Sequence, residues 1–176
     1  MNFKAQLVDS SKLVGDLVAE TVGNNPFYYK EILELVLHEA MPISSRAGRV
    51  LYLCTENNPS LFQSHISMVV EEIRKGKEIH RSILKIFAEM HLFLTHHQEG
   101  ILMNACFDWL ADDSQSIAVK VYCMEILARF AEKEPGIVPE LIAILEKLIP
   151  GASAGTKNRA ARIIRRLARK PLSNSQ

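Results

Sequence analysis

A chain of 176 residues with 48% hydrophobic and 23% charged side chains, 7 prolines and 8 glycines is long enough for a real core and too apolar to be disordered. At that length folding buries roughly 70% of the surface that the unfolded chain exposes, so no staple is required. The net charge of +1 hides an asymmetry: residues 1–146 carry 13 basic and 20 acidic groups, net −7, while no acid follows Glu146 and eight bases do, net +8.

The N-terminal stretch is interrupted by Asp9, Lys12 and Asp16, and no uncharged apolar run approaches the ~18 residues of a membrane span, so neither a signal peptide nor a span is expected. The three cysteines, Cys54, Cys106 and Cys123, are odd in number, far apart and set among apolar neighbours, without CxxC or Cys/His zinc spacing. They read as buried reduced thiols and point to the cytoplasm.

In chain order, the apolar residues recur at three- and four-residue steps almost throughout, which is the helical period. A first helix over Asp9 to Val22 ends at Gly23-Asn24-Asn25-Pro26. Later breaks fall at Met41-Pro42-Ile43-Ser44, Asn57-Asn58-Pro59, Lys75-Gly76, Gln98-Glu99-Gly100, Asp112-Asp113-Ser114, Glu134-Pro135-Gly136 and Pro150 to Gly155. Each combines a residue that stops a helix (glycine or proline) with a polar side chain able to cap one. Ser114 is the expected N-cap of a helix from Gln115 to Lys133, and the last helix runs from Thr156 to Arg169. The reading is all-α, with residues 1–170 as a single domain and 171–176 as a disordered tail.

The eight later helices fall into four pairs whose apolar positions coincide under shifts of 36, 40 and 40 residues. In second helices Val50-Leu51 aligns with Ile86-Phe87 and Ile126-Leu127, and Leu127 with Leu167; Cys54, Met90 and Phe130 follow one turn later. In first helices Ile32-Leu33 aligns with Met68-Val69, while Leu61-Phe62, Ile101-Leu102 and Leu141-Ile142 share another position. Two amphipathic helices per repeat cannot bury their apolar faces alone, so successive pairs stack. The spacing fits HEAT-type repeats, and the tetratricopeptide pattern W-x-x-L-G-x-x-Y is absent. The expected fold is an α-α superhelix, a HEAT-like solenoid of an N-terminal capping helix and about four antiparallel helix pairs.

The segment CFDWLADDSQSIAVKVYCMEILARFAEKEP, continued by ELIAILEKLIPGASAGTKNRAARIIRRL, resembles a family of small uncharacterised bacterial HEAT-like repeat proteins, and SSRAGRVLYLCTENNPSLF is similar to their earlier repeat. The likeness covers roughly residues 26–168, and PGASAGTKNRA is its most specific part. Some members carry the label adenylosuccinate lyase. The Met-Pro-x-Lys-x-Asn core of that lyase signature has no counterpart here: the nearest string, Glu39 to Ser44, lacks its lysine, its asparagine and the preceding serines. The resemblance therefore implies a fold and no chemistry.

The residues themselves give no catalytic constellation, no cofactor motif and no metal site. His91, His96 and His97 fall on different faces of any continuous helix, there is no HExxH, and the run from His96 to Gly100 reads as an inter-repeat turn. His65 occupies a slot matched by Ala105 and Leu145 and reads as a packed ring with one bonded nitrogen. Asp112-Asp113 on a turn does not supply two carboxylates facing across a cleft. Gly151 to Lys157 lacks the order of a phosphate loop and follows a helix rather than a strand.

The sharpest signal is the last helix. At 100° per residue Arg159, Arg162, Arg165, Arg166, Arg169 and Lys170 share one sector, and Ala160, Ala161, Ile163, Ile164, Leu167 and Ala168 fill the other. Solubility needs only mixed charge, whereas arginines without acids present planar, bidentate donors for anions. The expectation is a non-enzymatic scaffold for protein–protein interaction, with Arg159, Arg162, Arg165, Arg166 and Arg169 as the binding residues for an acidic segment of a protein partner. Nucleic-acid binding through the same helix, joined by Arg46, Arg49, Arg81 and Lys85, is the alternative, opposed by the acidic character of residues 1–146. Reversing Arg162 and Arg166 to glutamate should abolish capture of the partner and leave the fold intact, since both point away from the apolar sector.

Overall fold

The computed structural model describes residues 1–76 and 79–169, and among these it contains eleven α-helices, one 3-10 turn and no strand. The anticipated tail, Pro171 to Gln176, lies outside the described residues. The chain divides into two compact units, Met1–Glu99 and Gly100–Gln176. Within each, adjacent helices pack as in a HEAT-type α-α solenoid.

The first unit holds α1 (Phe3–Gln6), α2 (Lys12–Val22), α3 (Pro26–His38), α4 (Ile43–Asn57), α5 (Pro59–Gln63), α6 (Ile66–Arg74) and α7 (Arg81–Glu89). Several of its starts are set by side chains that satisfy the orphan amides of a first turn: Ser11 for α2, Asn25 followed by Pro26 for α3, and Asn58 followed by Pro59 for α5. Helix α4 is the hub, packed against α2, α3, α5 and α7. It buries Ala47, Gly48, Val50, Leu51, Cys54 and Thr55 along one stripe. The buried Thr55 hydroxyl donates to the Leu51 carbonyl at 2.7 Å, so the Tyr29 hydroxyl of α3, 2.6 Å away, is the donor in their mutual bond. Phe62 and Phe87 meet edge to face with ring centroids 5.4 Å apart.

The second unit follows with most of α8 (His96–Ala111), then α9 (Ile117–Lys133), a 3-10 turn at Pro135–Ile137, α10 (Val138–Leu148) and α11 (Ala154–Ala168). Helices α9, α10 and α11 pack mutually. Cys123, Met124, Ile126, Leu127 and Ala128 of α9 are wholly buried, as are Leu141 and Leu145 of α10. The aligned residues Val50-Leu51, Ile86-Phe87 and Ile126-Leu127 all have no exposed surface, and Leu167 almost none.

Boundaries differ from the sequence reading in several places. The helix read from Asp9 starts at Lys12 behind the Ser11 cap, and three others in the middle of the chain are displaced. His96 to Gly100 is the start of α8, not a turn. The Thr95 hydroxyl accepts from the Gln98 amide at 3.3 Å and the Gln98 side chain accepts from the Thr95 amide at 2.9 Å, a capping box that moves the break upstream. Ser116, not Ser114, caps α9; Ser114 is engaged by the Asp112 carboxylate at its amide and hydroxyl. The helix read from Pro59 onward is interrupted at Ser64 and His65, where Ser64 donates to the Ser60 carbonyl and the His65 ring nitrogen lies 2.8 Å from the Leu61 carbonyl. Such local side-chain bonds compete with helix continuation.

Candidate functional site

The basic helix α11 starts where Ser153 accepts the Thr156 amide at 3.3 Å, two residues earlier than expected. Thr156, Ala160, Ile163 and Leu167, at steps of four, three and four, turn inward and are buried. That seam fixes the rotation of the helix and turns the arginines off it, Arg159, Arg162 and Arg166 on the flank that reaches α9 and Arg165 and Arg169 farther round.

All five predicted arginines are described, and α9 divides them. Glu125 Oε1 accepts from Arg159 Nη1 at 2.6 Å and from Arg162 Nη2 at 3.3 Å. Seven residues along α9, Glu132 Oε1 lies 3.4 Å from Arg166 Nε. The pairs Glu125–Arg159 and Glu132–Arg166 share a separation of 34 residues, the offset at which α11 is laid along α9. Arg165 donates from Nε to the Ala161 carbonyl at 3.2 Å, and both Arg165 and Arg169 are exposed. Arg162, Arg165, Arg166 and Arg169 together line an open hollow of about 400 Å³ with no acid in its wall. Lys170, placed by the sequence in the same sector, lies outside the described residues.

Glu125 and Glu132 are the residues that the sequence reading missed. Their signal was available as two acids two turns apart on α9, each facing a base 34 positions later. The matching of repeats by apolar class alone passed over it. The pairs also bear on the reversal of Arg162 and Arg166, since each new glutamate would be set against an acid of α9.

Burial pushes the Cys54 thiol up to about 11, and burial followed by the neighbouring Cys123 thiol holds Cys106 well above its ordinary value, so both stay protonated at neutral pH. His65 packs its ring near that of Tyr29, centroids 5.7 Å apart. A hollow of about 430 Å³ between the ends of α8 and α10 and the starts of α9 and α11 is walled by Leu110, Ile117, Ile144 and Leu148; its Lys120 is 3.6 Å from Asp113. Among the described residues no group of three His, Cys, Asp or Glu side chains is placed to hold a metal, and no helix is long and apolar enough to cross a membrane.

A stack of helix pairs with a cationic last helix defines a helical-repeat protein. The HEAT repeat domain family matches residues 6–167, and the chain belongs to that family. No curated protein and no solved structure matches it.

Proposed function

We propose that this HEAT repeat domain is a non-catalytic cytoplasmic scaffold whose α11 strip receives an acidic segment of a protein partner. The hollow lined by Arg162, Arg165, Arg166 and Arg169 carries the reading. Four guanidiniums within two turns give a local positive field and several bidentate donors, and the acids of α9 pair with two of them. Pre-ordering long side chains lowers the entropy lost on binding.

A duplex suits this surface poorly. Residues 100–146 carry eight acids against three bases, net −5, so a long polyanion laid along α11 also meets the repulsion of its own unit. A short acidic segment avoids it.

Arg165 and Arg169 make the sharper test, since among the described residues neither has an ion pair with α9. Arg165→Glu with Arg169→Glu should keep the helical spectrum and weaken binding of a labelled glutamate-rich peptide at least about tenfold, ~1.4 kcal/mol, by fluorescence anisotropy at about 0.15 M salt. Tighter binding of duplex DNA than of the peptide at that salt, or peptide binding indifferent to the double reversal, would overturn the reading.

A further inference from the structure

The two ends of the repeat series present faces of opposite character. A terminal repeat has no neighbour and must offer a polar outer surface. Helix α11 does so with arginine. Helix α2 does not: it buries Val18 and Val22, while Leu13 is 68% exposed and Leu17, one turn on, 51% exposed. With Leu53 of α4 these two line a hollow of about 580 Å³, and Asp16 and Glu20 stand in the same lining. Asp16 is engaged by Arg49 at 2.7 Å and more distantly by Lys12 at 4.0 Å; Glu20 is exposed and has no ion pair among the described residues.

A cover for this groove must supply methylene groups over the leucines and a cation at Glu20, since Asp16 is already held by Arg49. Arginine does both, laying a three-carbon stem on apolar surface while its head pairs with an acid. The lengths agree: Leu13 to Glu20 and Arg162 to Arg169 each cover eight residues, seven steps or about 10 Å of helix.

We propose that the partner of the α11 strip is a second copy of this chain, the strip of one copy docking in the α2–α4 groove of the next. This rests on the reading of the strip as a docking surface and names its occupant. The two patches differ, so the contact is heterologous, and every added copy brings a new strip and a new groove. An unrelated acidic peptide would satisfy the arginines and leave Leu13 and Leu17 in water.

Sedimentation velocity on the full chain tests this. The weight-average mass of the wild type should rise with concentration from the micromolar range upward, and less steeply at high salt. Two variants each block one end: Arg165→Glu with Arg169→Glu leaves only a live groove, and Leu13→Asp with Leu17→Asp leaves only a live strip. Each alone should be monomeric, and an equimolar mixture should form a dimer of twice the monomer mass and nothing larger. Glu20→Lys, which alters no buried residue, should weaken self-association of an otherwise wild-type chain and guards against a folding defect in the leucine variant. A mixture that stays monomeric under conditions where the wild type associates overturns the proposal, as does a wild type that is monomeric at every concentration. A monomeric wild type that still binds a glutamate-rich peptide through Arg165 and Arg169 would sink the second copy and spare the strip; loss of both would remove both.

Discussion

Gly48 shows how narrowly α4 and α7 meet. A Cβ built there would lie 2.6 Å from Ser82 Oγ and 2.9 Å from the His80 ring, closer than side chains tolerate. Those two residues also begin α7, where His80 Nδ1 accepts the Ser82 amide at 3.2 Å. Gly48→Ala should therefore cost about 1–3 kcal/mol through overpacking, against a helix-propensity gain of at most ~1 kcal/mol. Gly15→Ala in α2 is the control: its nearest neighbour is the flexible Arg49 side chain at 3.6 Å, an ordinary contact, so the propensity gain should survive. Urea midpoints that move in opposite directions would bear this out, and equal shifts would sink it. His80 adds a pH dependence. Burial first, and then the charge of Arg81, hold its imidazole below the ordinary value of 6.5. The unfolded chain then binds a proton that the native state resists, so the stability from this residue is complete above that value and is lost as pH falls below it. Protonation also removes the acceptor that caps α7. His80→Asn retains a capping side chain and does not titrate, and should flatten the fall in urea midpoint between about pH 7.5 and pH 5. A parallel fall in both proteins would clear His80 of that role.

At the scale of helices, the sequence discloses what repeats and hides what is local. Val50-Leu51, Ile86-Phe87 and Ile126-Leu127 could be aligned because full burial demands the same apolar class at equivalent places in every repeat. The α11 rotation was legible for a related reason, since Thr156, Ala160, Ile163 and Leu167 keep a strict helical step and leave the arginines only one side. What escaped depends on single hydrogen bonds. His-His-Gln-Glu-Gly has the polarity of a loop, and only the reciprocal bonding of Thr95 with Gln98 makes it a first helical turn. The bonds of Ser64 and His65 likewise separate α5 from α6 without any break in hydrophobic pattern. At the basic helix the bases were visible and the acids opposite them were not, because Glu125 and Glu132 belong to another repeat and acquire meaning once α9 and α11 are paired. The α2 groove was hidden more deeply: Leu13 and Leu17 have helical spacing like any core residue, and only packing shows that they face outward.

For the whole chain, we propose that cooperative unfolding is carried by α8. The division between the compact units falls at Glu99 and Gly100, inside a helix that continues unbroken from His96 to Ala111. Its first turn is held in the first unit by the Thr95–Gln98 box and by a bond from Gln98 to Ser67 at 3.1 Å, while Leu102, Cys106 and Leu110 are buried further along. Unfolding residues 100–176 alone would cut this helix in mid-course and expose the amide and carbonyl groups of the severed turns. Interrupting a helix is costly because each turn supports the next, and repeats draw much of their stability from their neighbours. We therefore expect residues 1–170 to unfold as one domain. The single tryptophan, Trp109, lies on α8 within the second unit and reports there, whereas far-ultraviolet circular dichroism reports every helix. The two transitions should coincide in urea. Leu127→Ala removes side-chain volume at a site in α9 with no exposed surface and should cost about 2–5 kcal/mol. In a single cooperative domain that loss displaces both curves by the same amount, although the substitution lies wholly in the second unit. A biphasic dichroism curve in Leu127→Ala, with only the phase shared by Trp109 displaced, would show the units unfolding separately; an unmoved midpoint would show that the repeat register through Leu51, Phe87, Leu127 and Leu167 is wrong.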